Sequence, residues 1–183
     1  MARYFYLVTT LPDLAIGLAP DLSLEELTFL LKANLTDFDM KQVSVLRSYF
    51  DIENIRSFWS GYPLNRLGNF DELTLEEALV GRTGLPSYVY DYMDRFESKE
   101  QRLLHFSSLF STFFREEIKH SKGALHQLLQ FEREERLILA AFRAKKLGCP
   151  IEQELQFEDP EDPLVAEILA QKDAKVYIPP ERH

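Results

Sequence analysis

Glu117 and His120 are the residues whose types and spacing come closest to those of a metal site. They form a Glu-x-x-His pair at i and i+3 on a predicted helix, the spacing that di-iron helical bundles use. Such a site needs two of these pairs and a glutamate from each of two further helices, and the sequence offers one pair. We therefore predict no metal site. We interpret His105 and His126, isolated on helices, as surface or hydrogen-bonded core histidines.

The sequence also lacks the arrangements that other common chemistries need. Its glycines at positions 61, 68, 81 and 84 do not have the spacing of a phosphate-binding loop, and no nucleophile elbow is present. The single cysteine, Cys149, excludes an internal disulfide and is typical of a reducing compartment. We therefore predict no catalytic residue and no cofactor.

Asp51 and Asn54 are unusual because they lie inside a strongly apolar helical segment, residues 43–61. Asp and Asn compete for backbone hydrogen bonds and are poor residues for a helix interior. With Arg47 they fall on one face. One interpretation is a solvated stripe with an Arg47–Asp51 pair, the commoner arrangement for a carboxylate; the other is a buried contact to a neighbouring helix. Because the segment is apolar on both sides of this face, we predict that Asp51 and Asn54 are at least partly buried and bonded to backbone or to a basic side chain.

A possible internal repeat relates residues 50–54 to residues 131–135. Each segment places an aromatic residue before an acid, with a polar group three positions after that acid. Asp51, Asn54, Glu132 and Glu135 are therefore our candidate polar residues with a structural role, one pair in each copy of the repeat. The alternative for the second segment is a solvated charged face that carries a Glu132–Arg136 pair.

The charge balance excludes several classes of partner. The chain has 183 residues and a net charge of −9, whereas a general nucleic-acid binder needs a basic face to displace phosphate counterions. The same charge disfavours adhesion to anionic lipid, and the N-terminal apolar run is too short to cross a membrane. We expect a cytoplasmic protein that binds no nucleic acid and does not insert into a membrane.

Hydrophobic periodicity and a low glycine content predict an all-α, multi-helix bundle with a weak pseudo-repeat. Residues 1–150 form the predicted helical domain, and 151–183 an acidic, proline-containing linker, a short helix and a tail. Residues 3–9 are rich in Tyr, Phe, Leu and Val, so we expect a short strand or an extended lead-in. The predicted helices span 24–33, 39–60, 75–80, 86–96, 99–120, 124–147 and 164–170. The side chains predicted to be buried are Trp59, Phe50, Phe106, Phe110, Phe113 and Leu128.

Three segments of the sequence resemble a known family. The phrase LRSYFDIENIRSFW, residues 46–59, resembles the helix signature of the C-type (or d-type) subunit of V/A-type ATPases, in which an apolar and aromatic segment leads into Asp and then Asn three residues later. FEREERLILAAFRAKKLG, residues 131–148, looks like a later copy of that signature, with Glu135 where Asn is expected. The opening RYFYLVTTLPDL is similar to short proteins of unassigned function that are themselves similar to this C-type subunit and are encoded beside bacterial V-type ATP synthase subunits.

The resemblance implies a protein that couples or assembles a V/A-type ATPase and performs no chemistry. Its partners would be central-stalk and proteolipid-ring subunits, and the complex would hold it at the inner membrane. Arg143, Lys145 and Lys146 form a basic helix end in an acidic chain, and we predict that they contact the partner. The alternative is a small cytoplasmic helical enzyme or ligand-binding domain, with a pocket lined by aromatic residues between 88 and 114.

Overall fold

The computed structural model describes residues 4–174 and 176–179, which form ten α-helices and no β-strand. Residues 1–3, 175 and 180–183, including the end of the predicted tail, lie outside the described part. The described chain confirms the predicted all-α, multi-helix architecture. The helices are α1 (Phe5–Thr10), α2 (Leu24–Asn34), α3 (Asp37–Ser60), α4 (Glu72–Gly81), α5 (Ser87–Arg95), α6 (Lys99–Leu104), α7 (Phe106–His120), α8 (Gly123–Leu147), α9 (Ile151–Glu154) and α10 (Pro163–Ala170).

Local capping explains where several helices begin and end. The Ser23 side chain accepts a hydrogen bond from the Glu26 N–H, and the Glu26 carboxylate accepts one from the Ser23 N–H. This reciprocal pair is a capping box, and its Ser-x-x-Glu sequence marks the start of α2, where the predicted helix 24–33 also begins. Gly61 and Gly148 have left-handed backbones, with φ of 74° and 70°, and they end α3 and α8.

Helix α3 lies at the centre of the larger core, as its apolar circumference predicts. Its residues Ile52, Ile55 and Trp59 are buried and share this core with α4, α5, α7 and α8. The Trp59 ring lies 6.2 Å from the rings of Tyr92 and Phe106, within the range of favourable aromatic contacts. The other large buried residues of this core are Leu75, Leu79, Leu85, Val89, Leu109, Phe110, Phe113, Phe114 and Leu129.

A smaller core joins α8 to the C-terminal segment. Residues 151–170, which the sequence analysis assigns to a linker and a short helix, form α9, a turn and α10, and they pack against α8. Burial of these side chains is what holds so acidic a segment in place. The members of this core are Leu137, Ala141, Ala144, Ile151, Leu155, Leu164, Val165, Ile168 and Tyr177.

The N-terminal apolar run is helical, so the prediction of a strand or an extended segment is wrong. Helix α1 buries Leu7, and the Tyr4 hydroxyl before it donates a hydrogen bond to the Asp39 carboxylate on α3. A strand needs a second strand to pair its backbone groups, and the described chain contains no strand. A helix satisfies those groups internally, which explains how this β-prone composition becomes helical.

Most helix boundaries lie within two residues of the prediction, and the two largest differences are at α4 and between α6 and α7. The expected helix 99–120 is interrupted at His105, whose φ of −101° and ψ of 20° separate α6 from α7. The His105 ring stacks on Phe96, with 4.7 Å between the ring centroids, and this contact favours the interruption. Helix α4 begins at Glu72 rather than at 75, because Asp71 is its N-cap and accepts a hydrogen bond from the Thr74 N–H.

The predicted burial is confirmed for four of the five aromatic residues and is wrong for Leu128. Leu128 is 38% exposed, because Leu125 and Leu129 occupy the inner side of α8. Phe50 is half-buried. The remaining four predicted aromatic residues are buried, namely Trp59, Phe106, Phe110 and Phe113.

Phe113 offers a test of the larger core, because its side chain is 0% exposed in the middle of α7. We expect Phe113→Ala to lower the free energy of unfolding by about 3–5 kcal/mol, through lost burial and the cavity left behind. The control is Leu73→Ala, because Leu73 is exposed on α4 and should change stability by no more than about 0.5 kcal/mol. Chemical denaturation followed by circular dichroism measures both; equal effects would contradict this description of the core.

Candidate interaction surface

The polar face of α3 binds the loop between α3 and α4, residues 65–70. The Asn65 N–H donates a hydrogen bond to the side-chain oxygen of Asn54 at 2.7 Å. The Asn54 side-chain nitrogen donates in return to the Asn65 carbonyl oxygen at 2.9 Å. One side-chain amide thereby satisfies both backbone groups of a loop residue, which is why Asn54 is buried at little cost.

Asp51 holds the next part of the same loop. One of its carboxylate oxygens accepts hydrogen bonds from the Asn69 N–H at 2.6 Å and the Phe70 N–H at 3.3 Å. The other oxygen accepts one from the Asn69 side-chain amide at 2.6 Å. The predicted burial and backbone bonding of Asp51 and Asn54 are confirmed. Their partner is this loop and not a neighbouring helix.

Gly68 allows the loop to come this close to α3. A Cβ added to Gly68 would lie 2.6 Å from both the Asn54 side-chain nitrogen and an Asp51 carboxylate oxygen, far inside van der Waals contact. Arg47, one turn away, donates hydrogen bonds to the carbonyl oxygens of Leu67, at 3.0 Å, and Gly68. The spacing of the glycines in the sequence gives no sign of this requirement for a residue without a side chain at position 68.

Burial raises the pKa of the Asp51 carboxyl above its ordinary value. The hydrogen bonds from Asn69 and Phe70, together with the charge of Arg47, oppose the increase only in part. Since its carboxylate oxygens accept hydrogen bonds from N–H groups of the 65–70 loop, Asp51 fixes this loop to α3. This arrangement supports the fold and offers no obvious chemistry toward a ligand.

Glu132 and Glu135 do not repeat this arrangement. Glu135 is exposed on α8 and Glu132 is half-buried. Arg136, the predicted ion-pair partner of Glu132, instead contacts Glu158, with 3.5 Å between nitrogen and oxygen. The similarity of the two segments in sequence therefore does not extend to similar contacts.

Arg133 and Arg136 bind the acidic segment that follows α9. Arg133 contacts Glu158 at 3.1 Å and Asp162 at 2.9 Å, and Ser111 on α7 donates a hydrogen bond to Glu158. Burial alone would lower the pKa of Arg133, but the two carboxylates outweigh it and raise that pKa. Burial lowers the pKa of Arg136. The sequence analysis misses this network because Arg133 and its partners are 25 and 29 positions apart.

Glu117 and His120 are each bound to other groups. The Tyr88 hydroxyl donates a hydrogen bond to the Glu117 carboxylate at 3.1 Å. The His120 Nδ1 lies 2.8 Å from the Glu116 carbonyl oxygen. Within residues 4–174 and 176–179, no group of three or more His, Cys, Asp or Glu side chains is arranged to hold a metal ion.

One of the three basic residues predicted to contact a partner has an internal role. Lys145 donates hydrogen bonds to the carbonyl oxygens of Lys172 and, at 2.8 Å, Ala174, so it anchors the chain after α10. Arg143 and Lys146 are exposed on α8 and remain available to a partner.

The start of the chain carries many exposed apolar side chains, which we call the N-terminal apolar surface. Each member is at least 67% exposed: Phe5, Tyr6, Val8, Leu14, Ile16, Leu18 and Phe29. Scattered single residues of this kind are ordinary on a protein surface, but a concentration of them marks an interaction site. None of the helices in the described residues is long and apolar enough to span a membrane.

Helix α2, which carries part of this surface, buries none of its residues. It contains five large apolar side chains, Leu24, Leu27, Phe29, Leu30 and Leu31. A groove of about 500 Å³ lies between α2 and the 65–70 loop. A helix of 11 residues is marginal in water and is normally stabilised by tertiary packing. That packing is incomplete for α2, since its four leucines are half-buried and Phe29 is 71% exposed.

The aromatic residues between 88 and 114, considered above as a pocket lining, largely fill the larger core. Tyr92, Phe106, Phe110, Phe113 and Phe114 are buried there. A groove of about 790 Å³ lies elsewhere, between the start of α3 and the α7–α8 turn. Its lining combines apolar residues with two lysines: Phe38, Val45, Leu125, Lys41 and Lys122.

Comparison with known proteins shows matches over almost the whole chain. A family model described as protein of unknown function (DUF2764) matches residues 1–182. An uncharacterised protein of Chlamydia pneumoniae is 32% identical over 187 residues, covering 99% of this chain and 70% of the relative. An uncharacterised protein of Chlamydia muridarum is 28% identical over the same shares of both chains. One of Chlamydia trachomatis is 30% identical, over 88% of this chain and 63% of the relative. No solved structure matches.

These matches overturn the resemblance to the C-type subunit of V/A-type ATPases. The matching family model extends over residues 1–182 and is a different family, and none of the three chlamydial relatives carries an ATPase name. The segments that suggested the resemblance are largely explained by this fold. The polar pair within residues 46–59 binds a loop, and residues 131–148 bind the C-terminal segment.

Gly68→Ala tests the close approach of the loop to α3. We expect a loss of about 1–3 kcal/mol in the free energy of unfolding, because the new methyl group displaces buried hydrogen-bonded side chains. Asn54→Ala should lose about 1–3 kcal/mol as well, since it leaves the Asn65 backbone unsatisfied. Gly81→Ala is the matched control, because an added Cβ there meets only Thr83 Oγ1 at 3.7 Å.

In a helix, Gly81→Ala should be neutral or stabilise by up to about 1 kcal/mol. Urea denaturation of wild type, Gly68→Ala, Asn54→Ala and Gly81→Ala measures the free energy of unfolding of each protein. If Gly68→Ala were as stable as Gly81→Ala, the loop could not lie where this structure places it.

Asp51→Asn tests the raised pKa of the buried carboxyl. Because that pKa is higher in the folded chain than in the unfolded one, the folded state binds more protons between the two values, and the carboxyl destabilises the fold as pH rises through that window. The amide does not titrate. The stability of wild type minus that of Asp51→Asn should therefore be largest at the acidic end of the window and decrease toward neutral pH. Denaturation at several pH values measures this difference; one that increased with pH would contradict the direction.

Proposed function

Because the chain belongs to the family described as protein of unknown function (DUF2764), its role has to be argued from its own surfaces, and we propose that it is a non-catalytic subunit that binds another protein. The contact is made by the N-terminal apolar surface together with α2. Binding to another protein is the general part of the coupling or assembly role that the resemblance implied, and here it rests on the exposed surfaces of the chain alone.

The observation that carries the proposal is that none of the five large apolar residues of α2 is fully buried: its four leucines are half-buried and Phe29 is 71% exposed. Apolar area exposed to water is unfavourable by about 25 cal/mol per Å², so covering these side chains would stabilise the complex. Helix α1 packs against α2, and the Tyr4–Asp39 hydrogen bond ties the start of α1 to α3. The partner therefore meets side chains from α1, α2 and the segment between them.

The charge around this surface defines the chemistry of the partner. Residues 4–39 contain six acidic side chains and one basic side chain, Lys32. An anionic lipid surface would be repelled by this excess of acid. A protein with an apolar patch rimmed by Lys and Arg would be complementary, and the opposite charges would speed and orient docking.

Arg143 and Lys146 provide a second place where charge can guide a partner, at the other end of the chain. Both are exposed at the end of α8, where basic side chains also interact favourably with the helix dipole. They would meet an acidic part of the same partner or complex. Central-stalk and proteolipid subunits of a V/A-type ATPase stay a prediction for its identity, and the experiment has to be able to recover any other protein instead.

The proposal is tested with the double variant Ile16→Asp, Phe29→Asp, which places charge on the N-terminal apolar surface. Tagged wild-type protein, isolated from its native host at low salt, is expected to bring one dominant protein with it. The amount of this partner recovered with the tagged chain should decrease at higher ionic strength. The double variant should lower recovery at least about tenfold, as expected when central apolar contacts are lost.

The matched control is Leu73→Asp, Val80→Asp, because both residues are exposed apolar residues on α4. It should recover the partner as the wild type does, and both variants should keep wild-type helicity by circular dichroism. Binding must then be reproduced with the purified partner. Recovery of the chain alone, with a small molecule bound in the 790 Å³ groove, would favour the ligand-binding alternative and reject the proposal.

A further inference from the structure

The groove of about 500 Å³ between α2 and the 65–70 loop gathers positive charge in an acidic chain. Three basic side chains line it, Lys32, Arg47 and Arg66, against two acidic ones, Glu25 and Asp71. The chain as a whole has 30 acidic residues and 21 Lys and Arg residues. The lining of this groove therefore reverses the charge balance of the chain around it.

The three basic side chains come from three different elements and converge only in the folded chain. Lys32 lies in the last turn of α2, Arg47 on α3 and Arg66 in the loop. The Arg47 guanidinium is fixed, because it donates hydrogen bonds to the carbonyl oxygens of Leu67, at 3.0 Å, and Gly68. These bonds engage two of its three nitrogens, and a guanidinium has five N–H donors. Donors of a positioned cation are thus left for an anion in the groove.

The other charged groups of the lining leave room for such an anion. Lys32 and Arg66 are exposed, and neither forms an ion pair with any residue in the part of the chain that the structure describes. Of the two acids, Asp71 is directed to the start of α4, where its carboxylate accepts hydrogen bonds from the Thr74 N–H and hydroxyl. A single exposed cation is normally solvated by water. Two unpaired cations beside a fixed guanidinium favour a bound anion instead.

The walls of the groove are apolar and continue into the N-terminal apolar surface. Leu24 and Phe29 of α2 and Phe70 of the loop line the groove, and Phe29, 71% exposed, also belongs to the N-terminal apolar surface. A simple inorganic anion would leave these walls in contact with water. An anion that carries an apolar group would cover them, and burial of that apolar area would add to the affinity.

We infer that this groove binds an Asp or Glu side chain of the partner protein together with the apolar side chain next to it. The inference rests on the proposed function and specifies the chemistry of the partner at one point of the contact. The carboxylate binds the three basic side chains, and the neighbouring apolar side chain packs against Phe29 and Phe70. A carboxylate is the anion whose geometry matches the paired N–H groups of a guanidinium.

The groove gives the contact an orientation. The N-terminal segment around it is acidic and attracts Lys and Arg of the partner, whereas the groove attracts a carboxylate. A partner docked the other way round would place like charges together, which suppresses that arrangement. A carboxylate shared between Lys32 and Arg66 also ties α2 to the loop, so its binding orders α2.

Two dipeptides test the chemistry of the groove directly. The probe is N-acetyl-glutamyl-phenylalaninamide, and the control is N-acetyl-glutaminyl-phenylalaninamide, which has nearly the same shape without the charge. Amide NMR spectra recorded during titration give both the site and the dissociation constant. The glutamyl probe should shift the signals of α2 and the 65–70 loop and bind at least about fivefold more tightly than the control. Its binding should weaken as ionic strength increases.

Charge reversal tests the basic side chains. Lys32→Glu, Arg66→Glu should abolish the preference for the glutamyl probe, whereas Arg47 is left unchanged because it anchors the loop. The matched control is Lys41→Glu, Lys122→Glu, which alters the net charge equally at exposed lysines of the 790 Å³ groove. This control should bind the probe as the wild type does. Both variants should keep wild-type helicity by circular dichroism.

Recovery of the partner from the native host separates this inference from the proposed function. Lys32→Glu, Arg66→Glu should lower recovery of the partner at least about tenfold, and Lys41→Glu, Lys122→Glu should not. If the groove variant recovers the partner like the wild type while Ile16→Asp, Phe29→Asp loses it, the inference is overturned and the proposed function stands. If wild type recovers no partner, the proposed function fails, and the inference with it.

The titrations can also overturn the inference on their own. Equal dissociation constants for the glutamyl and glutaminyl probes would remove the role of the charge. Shifts confined to α1 and residues 11–23 would place the probe elsewhere on the N-terminal apolar surface. Inorganic phosphate that binds as tightly as the glutamyl probe would make the groove a site for small anions, with no part for the apolar walls.

Discussion

The contact between the Asp51 carboxylate and the 65–70 loop is the interaction on which the larger core depends. The carboxylate fixes the N–H groups of Asn69 and Phe70, and the next residue, Asp71, is the N-cap of α4. The position of α4, and of the core residues it carries, thus follows from one buried charge on α3. Burying a charge is costly unless it is paired or hydrogen-bonded, and this loop supplies the bonds.

The smaller core is also held by hydrogen-bonded charges, but there the long helix carries the cations and the connecting segment supplies the carboxylate. Arg133 and Arg136 on α8 are the half-buried cations, and Glu158 is the nearly buried carboxylate that reaches them from the segment after α9. In both places a long helix carries the charge and a connecting segment supplies the complement. Such pairs add limited net stability but specify one arrangement, because any other leaves a charge unpaired. The polar residues inside these helices therefore serve the fold, and the exposed apolar residues are what remains for partners.

Local signals predicted much of this fold and little of its tertiary detail. The capping box at Ser23 marked the start of α2 and the glycine at 148 marked the end of α8, because both act within one helical turn. The burial of Asp51 also followed from its apolar surroundings. Its partner did not, since the loop meets α3 only after the chain folds back, and the need for a glycine at 68 exists only in that arrangement. The internal role of Lys145 could not be predicted for the same reason. Its acceptors are the carbonyl oxygens of Lys172 and Ala174, and no pattern near Lys145 in the sequence indicates that these residues fold back onto it.

Because no residue of α2 is fully buried, this helix can unfold locally while the rest of the chain stays folded. Opening this helix exposes only half-buried leucines and disturbs neither core, so its local unfolding requires less free energy than global unfolding. Its amide protons would exchange with solvent while both cores stay closed. Binding at this helix then has to supply the free energy that keeps it ordered, which lowers affinity for a given contact area and favours rapid release. The same chain thus combines a rigid body, set by buried charges, with a recognition segment whose order depends on what it contacts.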